Sequence, residues 1–292
     1  MIIGRRALLV ATGCVLISRQ VRGADDQIAL YWTVSPPGRQ SAVLFGYDRV
    51  AAAVTPEIIN DGISLVDGCQ RVVLDMPENV KFPAVDLDRD QIKPILQVVA
   101  PPTAERLRKL LASSQVASLA DKLSGIEAMM LLAGEGHHNA DITVGGTIVD
   151  HARAKQKPID RLLSEADIQS AWQPPDLATL NGGIGDESIS YLLDLRDRVG
   201  PIGGYLEQLY RQRRGQEIER FTADMKRHGV FSSSQFHQSD RLRNLAFVRA
   251  FDLMTKQADE RRFILLPLGI LTGTSGILAA LKGKGATVVP RA

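Results

Sequence analysis

The pair His137-His138, with Glu135 and Asp141 close by, is the densest group of ligating and proton-transferring side chains in the chain. Two neighbouring imidazoles on one loop can offer two metal ligands. No metal-site spacing accompanies them, and the bland reading is a solvated polar loop. His151 stands beside Asp150 on a helical stretch, where adjacent residues do not face each other. His228 and His237 flank the break Ser232–Ser234 and read as surface residues. A serine hydrolase would need Gly-x-Ser-x-Gly, which is absent. Nucleotide binding would need a Walker lysine or Gly-x-Gly-x-x-Gly, and neither occurs in the glycine-rich stretch Gly269–Gly276. That stretch comes after an apolar run, where α/β folds usually place a site, yet it holds no His, Asp, Glu or Cys. Cys69 precedes another apolar run and reads as a small core residue.

The elements that would position these groups can be read from periodicity and punctuation. Ile28–Val34 and Ser41–Phe45 read as two strands around Ser35-Pro36-Pro37-Gly38, a hairpin. Thr55-Pro56-Glu57 opens a helix that runs to about Val66 and ends near Gly68, with Thr55 as N-cap and Pro56 at the first position. Arg71–Met76 is the next strand, and Asn79–Pro94, charged and broken by prolines, is a connection. Pro101-Pro102-Thr103 starts a helix through Leu111, shorter helical stretches reach Leu132, and Gly134–Gly146 is a loop. Ile168–Ala258 is mainly helical, and the helix after Ser239-Asp240 buries Leu242, Leu245, Phe247, Phe251 and Met254 while turning Arg243, Arg249 and Lys256 to solvent. Arg262–Pro267, Ile277–Lys284 and Ala286–Val289 form a final strand–helix–strand unit. The fold class that results is α/β: a central mixed sheet with first and last strands adjacent, flanked by helices and carrying a long helical insert.

Four blocks, Ala42–Asp75, Gly146–Leu163, Leu242-Arg243-Asn244 and Phe263–Val289, follow one another in the order in which similar blocks occur in the TraB/GumN family, so that the chain resembles that family over Leu30–Val289. The C-terminal block resembles that family's strand, Gly-x-x-His-Leu-x-Gly, helix and strand, with Ile270 at the place of the histidine. Ala42–Asp75 resembles its strand, Gly-x-x-His, helix and strand ending in Glu, with Arg49 for the histidine and Asp75 for the glutamate. Gly146–Leu163 keeps Lys157-Pro158 but has Leu163 for a glutamate, and Leu242-Arg243-Asn244 resembles Glu-Arg-Asn with the acid replaced. The resemblance implies a metal-dependent peptidase-like fold whose metal site has degenerated. Arg49 is permanently cationic and would repel a divalent cation, and Ile270 has no lone pair to donate.

The pocket implied by the resemblance comprises Gly46, Arg49, Asp75, Arg243, Asn244, Gly269 and Ile270. Within it Arg49, and Arg243 as a second guanidinium, would pair with Asp75, and Asn244 would hydrogen-bond the loop near Gly269. Alternatively, Arg49 and Arg243 would bind a small anion, a carboxylate or phosphate. On this reading the protein is a non-catalytic binding or accessory protein, a pseudoenzyme with no catalytic residues and no cofactor. The enzymatic alternative is a metal-dependent hydrolase using a shifted set of residues, with His137 or His138 within reach of Asp75 and the Gly46 loop and a divalent metal bound. A protein partner engaged through an exposed apolar patch is a third possibility.

Composition and targeting limit these classes. The 292 residues are 45% hydrophobic and 5% aromatic. Met1–Gly23 reads as a signal peptide, with Arg5-Arg6, the apolar run Ala7–Ile17 and a small-residue cleavage site before Ala24, leaving residues 24–292 as a single periplasmic or secreted domain. Eleven apolar or small residues are too few to span a membrane, and Arg5-Arg6 is compatible with either Sec or twin-arginine export. The leader takes four of the 35 basic residues and none of the 33 acids, so the net charge of +2 becomes −2, and no nucleic-acid footprint remains. Cys69 is then the only cysteine, which excludes an intramolecular disulfide.

Overall fold

A computed structural model describes residues 29–48, 52, 55–77, 91–112, 117–138, 142–171, 181, 183–230, 234–256, 259–273 and 275–291. The leader and Arg49 lie outside the described residues, as do the side chains of residues 234–239, His237 among them. A six-stranded mixed sheet organises the protein: β1 (Tyr31–Ser35), β2 (Ala42–Tyr47), β3 (Arg71–Leu74), β4 (Ile159–Arg161), β5 (Arg262–Pro267) and β6 (Thr287–Arg291), in the order β4-β3-β5-β2-β1-β6. The first and last strands are adjacent, and β1 pairs antiparallel with both β2 and β6. The strands β2, β5, β3 and β4 are mutually parallel, with Gly46 opposite Leu266 and Tyr47 opposite Pro267. Their carboxyl ends therefore share one rim.

Local sequence explains most elements. Helix α1 (Pro56–Asp67) begins with Pro56 in its first turn, where the missing N–H is no loss. Ahead of it β2 is buried along Ala42–Gly46, as expected of a central strand covered on both faces. Strand β6 alternates exposed and half-buried residues and carries Pro290, which a sheet edge tolerates. Tyr31 stacks on Phe45 at 4.5 Å, and Phe263 tilts against both rings. This aromatic group anchors a core spread over both faces of the sheet, and Cys69 is buried within it.

The helical insert has a second core. Between β3 and β4 lie α2 (Ile95–Val98), α3 (Pro101–Ala112), α4 (Gly125–Gly134) and α5 (Val144–Ala154). Beyond β4 come α6 (Glu165–Ala171), α7 (Asp186–Val199), α8 (Ile202–Arg211), α9 (Gly215–Arg227) and α10 (Ser234–Lys256). Helix α4 starts in a reciprocal cap, in which the Ser124 hydroxyl accepts from the Glu127 N–H and the Glu127 carboxylate accepts from the Ser124 N–H. Leu107, Met129, Ile189 and Leu192 form part of the insert's own cluster, and Leu206 of α8 touches both cores. Among the described residues no helix is long and apolar enough to cross a membrane.

Three local expectations are corrected. The stretch after β5 is not all loop, because Leu268–Leu271 forms a short helix, α11, before α12 (Ile277–Gly283). Its apolar residues find a buried surface only in the tertiary fold. The last unit is a split one: β5 and β6 are separated by β2 and β1 rather than paired. Helix α10 starts at Ser234 and runs through Ser239-Asp240, which therefore do not cap it.

Candidate functional site

The parallel strands bring Gly46, Asp75, Gly269 and Ile270 to the same rim of the sheet. Gly46 ends the buried part of β2, Asp75 comes directly after β3, and Gly269 and Ile270 lie in α11 directly after β5. What surrounds Gly46 is packing. A Cβ there would fall 2.5 Å from Leu268 Cδ1 and 3.1 Å from Leu271 Cδ1, so a missing side chain is what lets α11 settle on β2. Leu268, Ile270 and Leu271 are all buried, whereas Gly269 is exposed. The hydroxyl of buried Tyr210 donates to the Gly46 carbonyl at 3.3 Å.

Asp75 is buried, and its partner on the rim is a phenol. The Tyr47 hydroxyl donates to Asp75 Oδ2 at 2.7 Å, reaching across β5 from β2. Burial pushes the Asp75 carboxyl above its ordinary range, and the Tyr47 bond and the N–H groups of Met76 and Asp75 only partly oppose it. The backbone is tied as well, because the Leu163 N–H donates to the Asp75 carbonyl at 2.9 Å. Leu163 itself is buried.

The α10 residues do not join this group. The acidic partner of Arg243 is Asp240, one turn earlier on its own helix at 3.7 Å, and not Asp75; Asn244 is exposed. The helix phase that buries Ala246 and Ala250 leaves position 244 outward, so it makes no bond to the Gly269 loop. The guanidinium that does reach the rim from α10 is Arg249. It meets Asp167 of α6 with two bonds of 2.6 and 2.9 Å and donates to the Leu162 carbonyl at 2.6 Å. Arg249 is thus an ordered interhelix tie rather than a solvated side chain. Asp167 also accepts from the N–H and hydroxyl of Ser164, and Arg249 above all holds its carboxyl far below the ordinary range.

Beside this tie, where β3 and β4 end, opens a cavity of about 570 Å³ lined by Pro77, Arg161, Leu162, Leu163, Ser164, Glu165 and Arg249. Arg161 is the last residue of β4, opposite Leu74, and is exposed. A second carboxylate on the rim is Glu219 of α9, which accepts a short hydrogen bond from the Thr272 hydroxyl. Partial burial raises its pKa while that bond opposes the shift. Gly273, next to it, has φ of 81°, and a Cβ there would meet the Glu219 carboxylate at 2.6 Å.

The histidine loop is not freely solvated. His138 Nδ1 lies 2.8 Å from Glu207 Oε1, and its backbone N–H donates to Glu207 Oε2 at 3.1 Å. Glu207 is a buried residue of α8, one turn before Tyr210. The His137 ring nitrogen meets the His138 carbonyl at 2.8 Å, and neither imidazole is a hydrogen-bond partner of Asp75. His151 turns away from Asp150 and meets Asp67 at 2.8 Å, and His228 stacks on Tyr191 at 4.1 Å. Among the described residues no three His, Cys, Asp or Glu side chains converge as a metal site.

Tyr47, Glu219, Arg161 and Arg249 are the rim residues that sequence reasoning missed. The first adjoins Gly46 and could have been found by asking which side chain alternates away from the core next to that glycine. The others carry no local signal. Comparison with family models, with characterised proteins and with solved structures finds no match to this chain.

Proposed function

We propose that the chain is an exported, non-catalytic binding or accessory protein, built on a sheet of the TraB/GumN type in which packing has taken the place of a metal centre. The observation that supports this is the rim beyond β2 and β5: Leu268, Ile270 and Leu271 are buried where a metal ligand set would have to stand, and Gly46 is pressed against them. Asp75, the one acid kept there by the resemblance, is engaged with Tyr47. A buried carboxyl with a raised pKa and a phenol donor is a weak metal ligand, because binding requires the ionised form that burial disfavours.

Elemental analysis of the purified chain, with titrations of manganese, cobalt and zinc, tests the proposal. The expected result is no stoichiometric metal and no saturable binding. One tightly bound metal per chain, lost on Asp75→Asn, would overturn it and favour a hydrolase with a shifted ligand set.

A further inference from the structure

The cavity where β3 and β4 end differs chemically from the closed part of the rim. Arg161 ends β4 with its side chain exposed, and among the described residues it has no carboxylate within ion-pair distance. Arg249 faces the same space but is already matched by Asp167 and by the Leu162 carbonyl. Glu165 supplies one negative charge to the lining.

With Asp167 assigned to Arg249, Arg161 is the cation of the lining without a carboxylate partner among the described residues, and Glu165 adds a negative charge beside it. A dianion such as phosphate would meet Glu165 without a second free cation, whereas a singly charged carboxylate needs only the fork of Arg161. The volume of about 570 Å³ suits a small molecule, and Pro77, Leu162 and Leu163 supply the less polar part of the lining.

We propose that this cavity binds a small monocarboxylic acid, its carboxylate on Arg161 and its apolar part toward Pro77 and Leu163. The proposal rests on the binding-protein reading given above and names the ligand class and the place. Arg249 acts as a positioning residue: tied to Asp167 and to the Leu162 carbonyl, it holds α10 against the Leu162–Ser164 segment, which lines the cavity.

Calorimetric titration of the full chain with benzoate and hexanoate, against inorganic phosphate and cyclohexylamine, tests the idea. Saturable binding is expected for the two carboxylates alone, weakened about tenfold or more by Arg161→Met, a loss of the order of one charge-assisted hydrogen-bonded contact. Arg161→Lys should recover part of it by restoring charge without the fork. Because Arg161 is exposed, circular dichroism of both variants should match the parent. Absence of carboxylate binding, equal binding of phosphate, or affinity unchanged in Arg161→Met would each overturn the proposal. A bound metal, by contrast, would defeat the non-catalytic reading and leave the Arg161 result to be read on its own.

Discussion

Beyond the carboxyl ends of β2 and β5 the chain packs Leu268, Ile270 and Leu271 onto a strand that yields to them at Gly46, whereas beyond β3 and β4 the same rim stays open, edged by Arg161 and Arg249. Both halves belong to the parallel part of one mixed sheet, whose geometry offers the same crevice along the carboxyl ends of those four strands. The difference lies in the segment attached to the end of each strand. After β5 comes an apolar turn that packs inward onto Gly46, and after β4 come two buried leucines, Leu162 and Leu163, and then a turn capped by Ser164 and Asp167 that leaves Arg161 exposed. The place that topology favours for a site can thus be filled at one strand pair and kept at its neighbour.

That contrast can be broken most strongly at the closed half. Leu271→Ala should cost about 2–5 kcal/mol in chemical denaturation, because the side chain is fully buried between α11 and the sheet. A cost near zero would mean that α11 does not seal the rim. Gly46→Ala should cost about 1–3 kcal/mol by overpacking, and Leu268→Ala in the same chain should recover part of that loss. Additive losses would refute the packing account.

Tyr47→Phe, about 1 kcal/mol, removes the phenol donor from a buried carboxyl. Two carboxyls of the rim, Asp75 after β3 and Asp167 of α6, should also differ in the sign of their pH dependence. The Asp75 pKa is raised in the folded state, so its contribution is fully present below 3.8 and is lost as pH rises through the folded value. Asp75→Asn should therefore abolish a decline in stability that runs from pH 3.8 up to the raised folded value. The Asp167 pKa is lowered, so its contribution is present above 3.8 and is lost as pH falls through the folded value. Arg249→Met should flatten that acid limb while costing about 1 kcal/mol or less at neutral pH, as expected of a part-exposed pair. Denaturation midpoints measured across the acid range distinguish the two slopes, and parallel slopes would refute the contrast.

Much of the frame was legible in the chain itself. The hairpin of β1 and β2, helix α1 with Pro56 in its first turn, and strands β3 and β5 all carry local signals, in burial period or in Pro and Gly punctuation. The adjacency of β1 and β6 agrees with placing strands at both ends of the chain around helices. Helix α11 was not legible, because four residues are too few for a period and their burial depends on Gly46, more than two hundred positions earlier. Neither was the Arg249–Asp167 pair, separated by 82 positions, nor the reach of Tyr47 to Asp75 across another strand. Such pairings are set by the tertiary arrangement of strands and helices, which no local pattern encodes. The same holds for His138, whose buried partner Glu207 lies 69 positions away. Arg243 illustrates the converse: a motif-like position suggested a distant partner, and the helix supplies a nearer one in Asp240.

The division of the rim is tested most directly by backbone amide shifts in a perdeuterated sample titrated with benzoate. Concentration-dependent shifts are predicted for Leu162, Leu163, Ser164, Glu165 and Arg249, with Gly46, Gly269, Ile270 and Thr272 unmoved. Shifts centred on Gly46 and Gly269–Thr272 instead would contradict the account, because the half described as closed by packing would then be the one that admits the ligand.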